Sequence, residues 1–478
     1  MRDFPFGQLL TSYRNRLGWT QPEVVDPADP LALKVSLRTY QKWENGESIP
    51  ASQWLPLIAN LFRLSDAEAD MLYRAAGQVA PEIQNLPFPR NPFFTGREMY
   101  LEQLERHFEA GRSVAISQPL SISGLGGIGK TQLALEYAHR CHPKVYRSVL
   151  WVNAADKATL EAGYLSLADL LHLPERNERE VDRIVQAVKS WLEGHTGWLL
   201  VLDNADDLPL ARSFLPAKPR GHILLTTRSQ IVGNIAARIE VEAMEPEEGL
   251  LFFLRRSGVL QDGVDPGIIA FDVHSAARGL VEILGGHPLA LDQAGAYIEE
   301  TGVSFASYMQ LYSDQRLLLL NRRGWLAAEH PETVVVTFEI SFQQACKVHP
   351  LAADVLHCCS FLHPDDIPEE LFSQGQSLKM NTATFDNAIA ALRRYSLIKR
   401  NGEEKLLSVH RLVQAVVQDT MAAETKKQWM QRTVQAVNAA FPDIAISQWK
   451  VCERYLPHAL LCTTWIEQEQ NTPTPRPA

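Results

Sequence analysis

A glycine-rich loop that ends in lysine and threonine is the part of the sequence best suited to chemistry. Residues 124–131 read GLGGIGKT, which fits the pattern G-x-x-x-x-G-K-T in full. Glycines let backbone N–H groups close around a chain of phosphates, and the N-terminus of a following helix adds partial positive charge. Lys130 is expected to reach the β- and γ-phosphates of a nucleotide, and the Thr131 hydroxyl to complete the ligand shell of Mg²⁺. The loop therefore predicts a site for nucleotide phosphates and magnesium.

The residues on either side of this loop supply the context that the motif requires. The apolar run 120–123 precedes it and has strand character, while residues 131–141 carry apolar side chains at helical spacing. A glycine-rich turn that binds nothing has no need of Lys and Thr between a strand and a helix. The sequence therefore favours a phosphate-binding loop over a purely structural turn.

Two further apolar runs end in polar residues. Residues 198–203 read WLLVLD and end at Asp203, and residues 221–228 read GHILLTTR and end at Arg228. Apolar strands alternate with helical patterns over residues 93–244, which predicts a parallel sheet with crossover helices. Open α/β sheets place ligands at the carboxyl ends of their strands. Asp203 is therefore expected to orient Mg²⁺ and Arg228 to sense a γ-phosphate, with a solvated strand-end arginine as the alternative.

Length and composition limit the class of protein. A chain of 478 residues is too long for one core and predicts about three or four domains. Hydrophobic residues make up 46% and charged residues 21%, as in soluble globular proteins. The net charge of −10 argues against a generic polyanion binder. The sequence has no apolar run of membrane-spanning length and no signal peptide at its start, so we expect a cytoplasmic protein without membrane contact.

The first 79 residues resemble the helix-turn-helix domain of the Cro and phage-repressor class. Helices are predicted over 7–17, 21–25, 37–44, 50–64 and 66–76. In segment 36–46, SLRTYQKWENG, Ser36 would cap the recognition helix and Gly46 would end it. The insert 26–30, DPADP, is longer than the tight turn of that class.

Two roles remain open for this N-terminal segment. The resemblance implies DNA contacts from Arg38, Gln41 and Lys42. However, residues 1–79 hold eight Lys/Arg against nine Asp/Glu, a net charge of −1. Phosphate contacts supply most non-specific DNA affinity, so this segment has little to work with. A small helical adaptor that no longer enters a DNA groove is the alternative.

Six segments resemble, in order, the motifs of the NB-ARC group of signal-transduction ATPases. This group includes switches of plant disease resistance, animal apoptosomes and many bacterial regulators. The resemblance covers residues 93–425, and the shared order makes it specific. The segments are 94–98 (FTGRE), 124–131 (GLGGIGKT), 199–203 (LLVLD), 226–228 (TTR), 286–289 (GHPL) and 409–411 (VHR).

The resemblance implies roles for particular residues. It makes 94–98 a nucleotide lid, puts Pro288 by the adenine, and puts His410 of a winged helix on the β-phosphate of ADP. The nucleotide-binding residues are then Thr95, Arg97, Gly124, Gly126, Gly127, Ile128, Gly129, Lys130, Thr131, Gln132, Pro288 and His410. The catalytic residues are Lys130, Asp203, Asn204 and Arg228, and the Mg²⁺ ligands are Thr131 and Asp203.

Two positions depart from the pattern of the group. Asn204 stands where many relatives have a second Asp, and an amide can orient a water but cannot take its proton. Arg411 replaces the Asp that follows the histidine, so a lock that depends on that carboxylate must be built differently. Both departures favour slow hydrolysis of ATP.

The predicted fold class is a multidomain chain around an α/β P-loop NTPase core with a parallel sheet. The predicted domains are helix-turn-helix 1–79, Pro-rich linker 80–92, nucleotide-binding α/β domain 93–244, helical domain 245–330, winged helix 331–425 and C-terminal helices 426–478. The last helices have the character of the base of a helical-repeat sensor.

The function predicted from these residues is an ATP/ADP-dependent molecular switch with Mg²⁺. ADP would keep the domains closed, and ATP would open them, expose surfaces for homo-oligomer assembly and engage a downstream protein. One alternative is a nucleotide-controlled transcriptional regulator that binds DNA. Another is a metabolic or nucleic-acid-directed P-loop enzyme, but the sequence shows no second substrate site with acid–base residues.

Overall fold

A computed structural model describes most of the chain. The described residues are 6–29, 32–112, 119–261, 264, 267, 269–322, 333–374, 380–441 and 449–471. One hydrophobic core lies in an N-terminal bundle, and two others lie on opposite faces of a central sheet. None of the helices in these ranges is both long enough and apolar enough to span a membrane.

Five helices in the described part of residues 6–75 form the N-terminal bundle. They are α1 Phe6–Arg16, α2 Gln21–Val24, α3 Leu37–Glu44, α4 Trp54–Leu61 and α5 Asp66–Ala75. Each lies where the sequence predicts a helix, although α4 is shorter than the predicted 50–64. The Ser36 hydroxyl caps α3 by accepting a hydrogen bond from Thr39 N at 3.1 Å, and Gly46 follows with φ +74°. The insert 26–30 is described as far as Asp29.

A parallel sheet forms the centre of the α/β region, which comprises β1–β6 and α6–α10. Its strands in the described residues are β1 Ile83–Gln84, β2 Leu120–Ser123, β3 Ser148–Asn153, β4 Trp198–Asp203, β5 His222–Thr227 and β6 Ala237–Glu240. They pair in the order β1-β3-β4-β5-β2-β6, and every pairing is parallel. The strands predicted at 120–123, 198–203 and 221–228 are confirmed as β2, β4 and β5, whereas β1 and β6 were not predicted.

Successive side chains along each strand point to opposite faces of this sheet, so both faces carry apolar side chains. In β4, Leu199 and Val201 face one core, and Trp198, Leu200 and Leu202 face the other. Helices from both sides cover these faces, as a buried parallel sheet requires. The helices are α6 Glu98–Arg112, α7 Lys130–Cys141, α8 Lys157–Leu170, α9 Val181–Gly194 and α10 Leu208–Phe214.

The helical region follows the sheet and consists of α11–α14. These helices are α11 Pro246–Arg256, α12 Phe271–Ile283, α13 Pro288–Thr301 and α14 Phe305–Leu320. The predicted end of this domain at residue 330 lies outside the described residues.

The mixed region comprises α15–α19 and three short strands of its own. Its elements are α15 Val334–Val348, α16 Ala352–Cys359, β7 Ile367–Pro368, α17 Leu371–Gln374, α18 Thr382–Arg394, β8 Lys399–Asn401, β9 Leu406–Ser408 and α19 Arg411–Thr420. The strands pair antiparallel in the order β7-β9-β8. Two last helices, α20 Ala423–Ala440 and α21 Trp449–Asn471, form the C-terminal pair. The predicted boundary between residues 425 and 426 therefore falls inside a helix, and the break lies before Ala423.

The Pro-rich linker does more than separate two domains. Ile83 and Gln84 pair with Ser148 and Val149 of β3, so part of the predicted linker belongs to the sheet. The Pro-rich linker predicted over 80–92 therefore contains a short strand. The strand could not be predicted from the sequence, because only two of its residues pair and they lie in a proline-rich segment.

The N-terminal bundle docks on the α/β region at the end of the sheet opposite the glycine loop. The Asn60 amide donates to Leu171 O at 2.5 Å, and Asp66 accepts from Thr196 N at 2.8 Å. An ion pair of 2.5 Å joins Arg147 to Asp70 of α5. These polar contacts fix the bundle at the start of the strands, away from their carboxyl ends.

Candidate functional site

The glycine loop joins β2 to α7 at the carboxyl end of the sheet. Gly124, Gly127 and Gly129 have positive φ values of 150°, 74° and 95°, a backbone region that favours glycine. A Cβ on Gly129 would meet nothing within 4 Å, so the loop is open there. The side chain of Ile128 is buried beneath the loop. The loop is therefore packed against the protein at Ile128 and open at Gly129.

Lys130 is the first residue of α7 and turns back over the loop. Its Nζ donates to Gly124 O and to Leu125 O, both at 2.9 Å. Burial lowers the pKa of Lys130 to about 8, and the charge of Asp206 acts in the opposite direction. The ammonium is still mainly protonated at pH 7, so it is a cation held at the mouth of the loop.

A hydrogen-bonded cluster joins the loop helix α7 to the carboxyl ends of β4 and β5. Thr131 Oγ1 donates to Asp203 Oδ1 at 2.9 Å, and Thr226 Oγ1 donates to the same oxygen. Asn204 N donates to Thr226 Oγ1 at 2.9 Å, while the Asn204 side chain is exposed. The structure therefore brings together the two residues predicted to hold Mg²⁺, with Asn204 beside them.

Arg228 connects the end of β5 to the mixed region. Its Nε donates to Asp206 Oδ2 at 2.7 Å, and its Nη1 donates to Ser341 Oγ of α15 at 3.3 Å. The Ser396 hydroxyl donates to Arg228 O. Neither Asp206 nor Ser341 is among the site residues predicted from the sequence. The acidic run that begins at Asp203 was a signal for the first, but nothing in the sequence pointed to Ser341.

Helix α15 also lies directly on the glycine loop. A Cβ on Gly126 would lie 2.6 Å from Thr337 Cγ2 and 3.8 Å from Ser341 Oγ. The mixed region therefore packs against the middle of the loop at van der Waals distance.

The predicted lid residues lie in buried positions before α6. Arg97 is 8% exposed, its Nη1 donates to Glu242 O at 2.9 Å, and its backbone N donates to the Glu248 carboxylate. Burial lowers the pKa of Arg97 from its ordinary value. Its Nη2 is buried and has no hydrogen-bond partner among the described residues. The Thr95 hydroxyl donates to Phe93 O at 2.9 Å.

The remaining predicted nucleotide-binding residue of the loop helix turns towards the linker. Gln132 Oε1 accepts a hydrogen bond from the Asn91 amide at 3.0 Å. The linker thereby reaches the helix that begins at Lys130.

His287 and Pro288 approach the loop from the helical region. Pro288 is the first residue of α13, and His287 precedes it and is fully buried. The Nε2 of His287 lies 2.9 Å from Gly126 O. Burial lowers the pKa of His287 to about 3, so its ring is neutral at pH 7. Sequence reasoning quoted this histidine within a motif but gave it no role.

His410 follows β9 and meets the turn that precedes His287. Its Nε2 lies 3.1 Å from Gly285 O, and its Nδ1 accepts from Leu412 N at 3.2 Å. Burial lowers the pKa of His410 to about 4. Arg411 Nη1 donates to Glu282 O at 2.8 Å, so this arginine is directed to the helical region.

These residues fit a nucleotide with Mg²⁺. The left-handed glycines and the open side of Gly129 leave room for phosphates against backbone N–H groups. Lys130 offers a cation, and Thr131 with Asp203 offers the hard oxygen ligands that Mg²⁺ prefers. The chemistry of the donor set therefore agrees with the ligand that the loop predicts.

Comparison with protein families identifies two parts of the chain. Residues 98–261 match the family model described as "NB-ARC domain". Residues 344–438 match a model described as a domain of unknown function, DUF7779.

Curated relatives are similar over much of this chain. A nucleotide-binding leucine-rich repeat (NLR)-like protein of Hyaloscypha variabilis is 30% identical over 415 residues, which is 78% of this chain and 40% of that protein. Regulatory protein AfsR of Streptomyces griseus is 28% identical over 60% of this chain and 29% of its own length. The chain therefore spans less than half the length of these relatives.

Solved structures resemble the chain only loosely. A STAND protein with a tetratricopeptide repeat sensor from Pyrococcus horikoshii is 18% identical, with 80% of this chain and 51% of that chain covered at a TM-score of 0.30. The ORC2 protein of Aeropyrum pernix is 15% identical, with 72% and 97% covered at a TM-score of 0.42. At such low TM-scores, neither likeness supports an argument about function.

Proposed function

We propose, from the NB-ARC domain that residues 98–261 form, that this protein is a nucleotide-dependent switch for signal transduction. ADP holds the helical and mixed regions on the glycine loop, and exchange for ATP releases the mixed region. The observation that carries this proposal is the position of Gly126. Its carbonyl oxygen contacts His287 of the helical region, and its α-carbon faces Thr337 of the mixed region. A change in the conformation of the loop at Gly126 would therefore alter its contacts with both the helical region and the mixed region.

Arg228 offers a means to distinguish ATP from ADP. Its guanidinium is shared between Asp206 and the Ser341 hydroxyl of α15. A γ-phosphate is a stronger acceptor for a guanidinium than a serine hydroxyl is, because the phosphate carries negative charge and can accept two parallel hydrogen bonds from the guanidinium. ATP would therefore draw Arg228 away from Ser341 and weaken the hold on the mixed region. A ligand shifts an equilibrium only through such differences in contact between two states.

The proposed chemistry at the loop is slow ATP hydrolysis. Thr131 and Asp203 would hold Mg²⁺, which neutralises phosphate charge when bound. Asn204 lies beside this cluster and offers an amide, which can orient a water but cannot accept its proton. Slow hydrolysis suits a switch because the ATP-bound state then lasts long enough to act.

We interpret the mixed region as a winged helix that blocks assembly in the closed arrangement. It combines helices with the antiparallel strands β7–β9, and His410 stands directly after β9. The family resemblance assigns His410 to the β-phosphate of ADP. Release of α15 from the loop would expose the surface around Thr337 and Ser341, which we propose contributes to assembly of several copies.

Solution scattering tests the switch. We expect a larger radius of gyration with a non-hydrolysable ATP analogue and Mg²⁺ than with ADP and Mg²⁺, because the mixed region leaves the loop. Arg228→Gln should abolish this difference, since the neutral amide is a poor partner for a γ-phosphate. Arg220→Gln, which changes an exposed arginine of the same region, is the matched control. The same radius with both nucleotides in the wild type would contradict the proposal.

DNA binding by the N-terminal bundle is a second candidate function. Arg38 and Lys42 of α3 are exposed, and Gln41 is oriented by a 3.2 Å hydrogen bond from its amide to Gln21 Oε1. Because the segment carries a net charge of −1, we expect weak binding to duplex DNA and a shallow dependence on salt.

A gel shift of the full chain on genomic fragments measures this. Tight, sequence-selective binding at about 150 mM salt, lost in an Arg38→Ala and Lys42→Ala double variant, would favour a transcriptional regulator over an adaptor.

A further inference from the structure

The turn between α12 and α13 is closely held on two sides. Gly285 and Gly286 have φ values of +64° and +62°, so both occupy the left-handed region. A Cβ on Gly286 would lie 2.4 Å from Met244 O, and one on Gly285 would lie 2.8 Å from His410 Cε1. Met244 N also donates to Gly286 O at 2.9 Å. The turn is therefore packed between the segment that follows β6 and the mixed region.

His287 extends this turn into the glycine loop. A carbonyl oxygen only accepts hydrogen bonds, so the 2.9 Å contact with Gly126 O means that the His287 proton is on Nε2. Leu289 N, also from the helical region, donates to Gly127 O of the loop at 3.3 Å. Two consecutive carbonyl groups of the loop are thus held by donors from the helical region.

His410 makes the same kind of contact with the turn itself, because it also donates a hydrogen bond to a glycine carbonyl oxygen. Its Nδ1 accepts from Leu412 N, so its proton is also on Nε2 and is donated to Gly285 O. The rings of His287 and His410 lie 5.5 Å apart, edge to face. His410 of the mixed region therefore donates to Gly285 O of the turn, and His287 of the turn donates to Gly126 O of the glycine loop.

We infer that His287 is a positioning residue through which the mixed region controls the shape of the glycine loop. The contacts run from His410 to Gly285 O, through the turn to His287, and from His287 to Gly126 O. This coupling rests on the proposed switch, and it requires no contact between either histidine and the nucleotide. When the mixed region leaves, the turn loses one of its two supports and Gly126 loses its fixed position.

Double substitution separates this coupling from a direct contact of His410 with phosphate. Stopped-flow release of a fluorescent ADP analogue is measured in the full chain with Mg²⁺. We expect His287→Leu and His410→Ala each to speed release about tenfold, the factor for loss of one buried hydrogen bond. We expect the double variant to be no faster than the single ones, because both break the same path.

Amide variants distinguish positioning from packing. His287→Gln places a donor at about the reach of Nε2 and should release the analogue as the wild type does. His287→Asn is too short to reach Gly126 O and should behave like the leucine variant. These two variants also keep the test open if the leucine variant does not fold.

Two outcomes would overturn the inference. One is unchanged release in both His287→Leu and His287→Asn. The other is release about a hundredfold faster in the double variant, as expected for independent contacts. Failure of the switch itself would look different, since the wild type would then bind the analogue but show the same radius of gyration with ADP and with the ATP analogue.

Discussion

Replacement of Lys130 by alanine is expected to weaken both ADP and ATP by about 1.5–3 kcal/mol, which is about 10- to 150-fold in Kd. This is the loss expected for a charge-assisted contact to phosphate. In the structure, Lys130 Nζ already lies over the loop through its bonds to Gly124 O and Leu125 O. Its ammonium is therefore positioned where phosphates would lie.

Calorimetry with each nucleotide in the presence of Mg²⁺ measures the change. Lys144→Ala is the matched control, because it removes the same charge from an exposed position just after α7. Equal affinities for nucleotide in the wild type and Lys130→Ala would show that the glycine loop is not a nucleotide site.

A methyl group on Gly126 is expected to push the mixed region away from the loop. The backbone of Gly126 has no positive φ, so alanine is conformationally acceptable there. Its Cβ would however lie 2.6 Å from Thr337 Cγ2, which is too close for two carbon atoms. Such overpacking costs about 1–3 kcal/mol. In a two-state equilibrium this shifts the population of the closed form by about 5- to 150-fold.

Scattering of Gly126→Ala with ADP should therefore give the larger radius that the ATP analogue gives in the wild type. Thr337→Ser removes the clashing methyl group and keeps the hydroxyl, so the double variant Gly126→Ala with Thr337→Ser should return to the compact form. A compact Gly126→Ala protein, or no return to the compact form with Thr337→Ser, would mean that the contact between α15 and Gly126 does not determine the position of the mixed region.

The α/β core could be predicted because its signals are local. The strands β2 to β5 are apolar runs, and parallel strands bring their carboxyl ends to one edge, so Lys130, Asp203 and Arg228 had to lie close together. The NB-ARC resemblance is confirmed over residues 98–261, where the family model matches, and the motifs at 286–289 and 409–411 lie outside that match. The helix-turn-helix and winged-helix assignments stay predictions.

The contacts between regions could not be predicted in the same way. Ser341 and Thr337 lie on a helix whose sequence shows no feature that separates them from other polar residues. Their importance comes from packing against Arg228 and Gly126, more than a hundred residues away along the chain. The strand β6 was missed because only Ile239 of its four residues is buried, so the pattern lacks an apolar run.

The pairing of the linker with β3 has a practical consequence for solubility. Asn85 extends the two-residue strand β1, since its amide donates to Trp151 O at 2.8 Å and its Oδ1 accepts from Trp151 N at 2.6 Å. Together these groups cover the outer edge of the sheet. A truncated protein that begins after the prolines would leave that edge bare, and a bare edge strand invites pairing with other chains and aggregation. Soluble fragments of the nucleotide-binding part should therefore begin before Ile83.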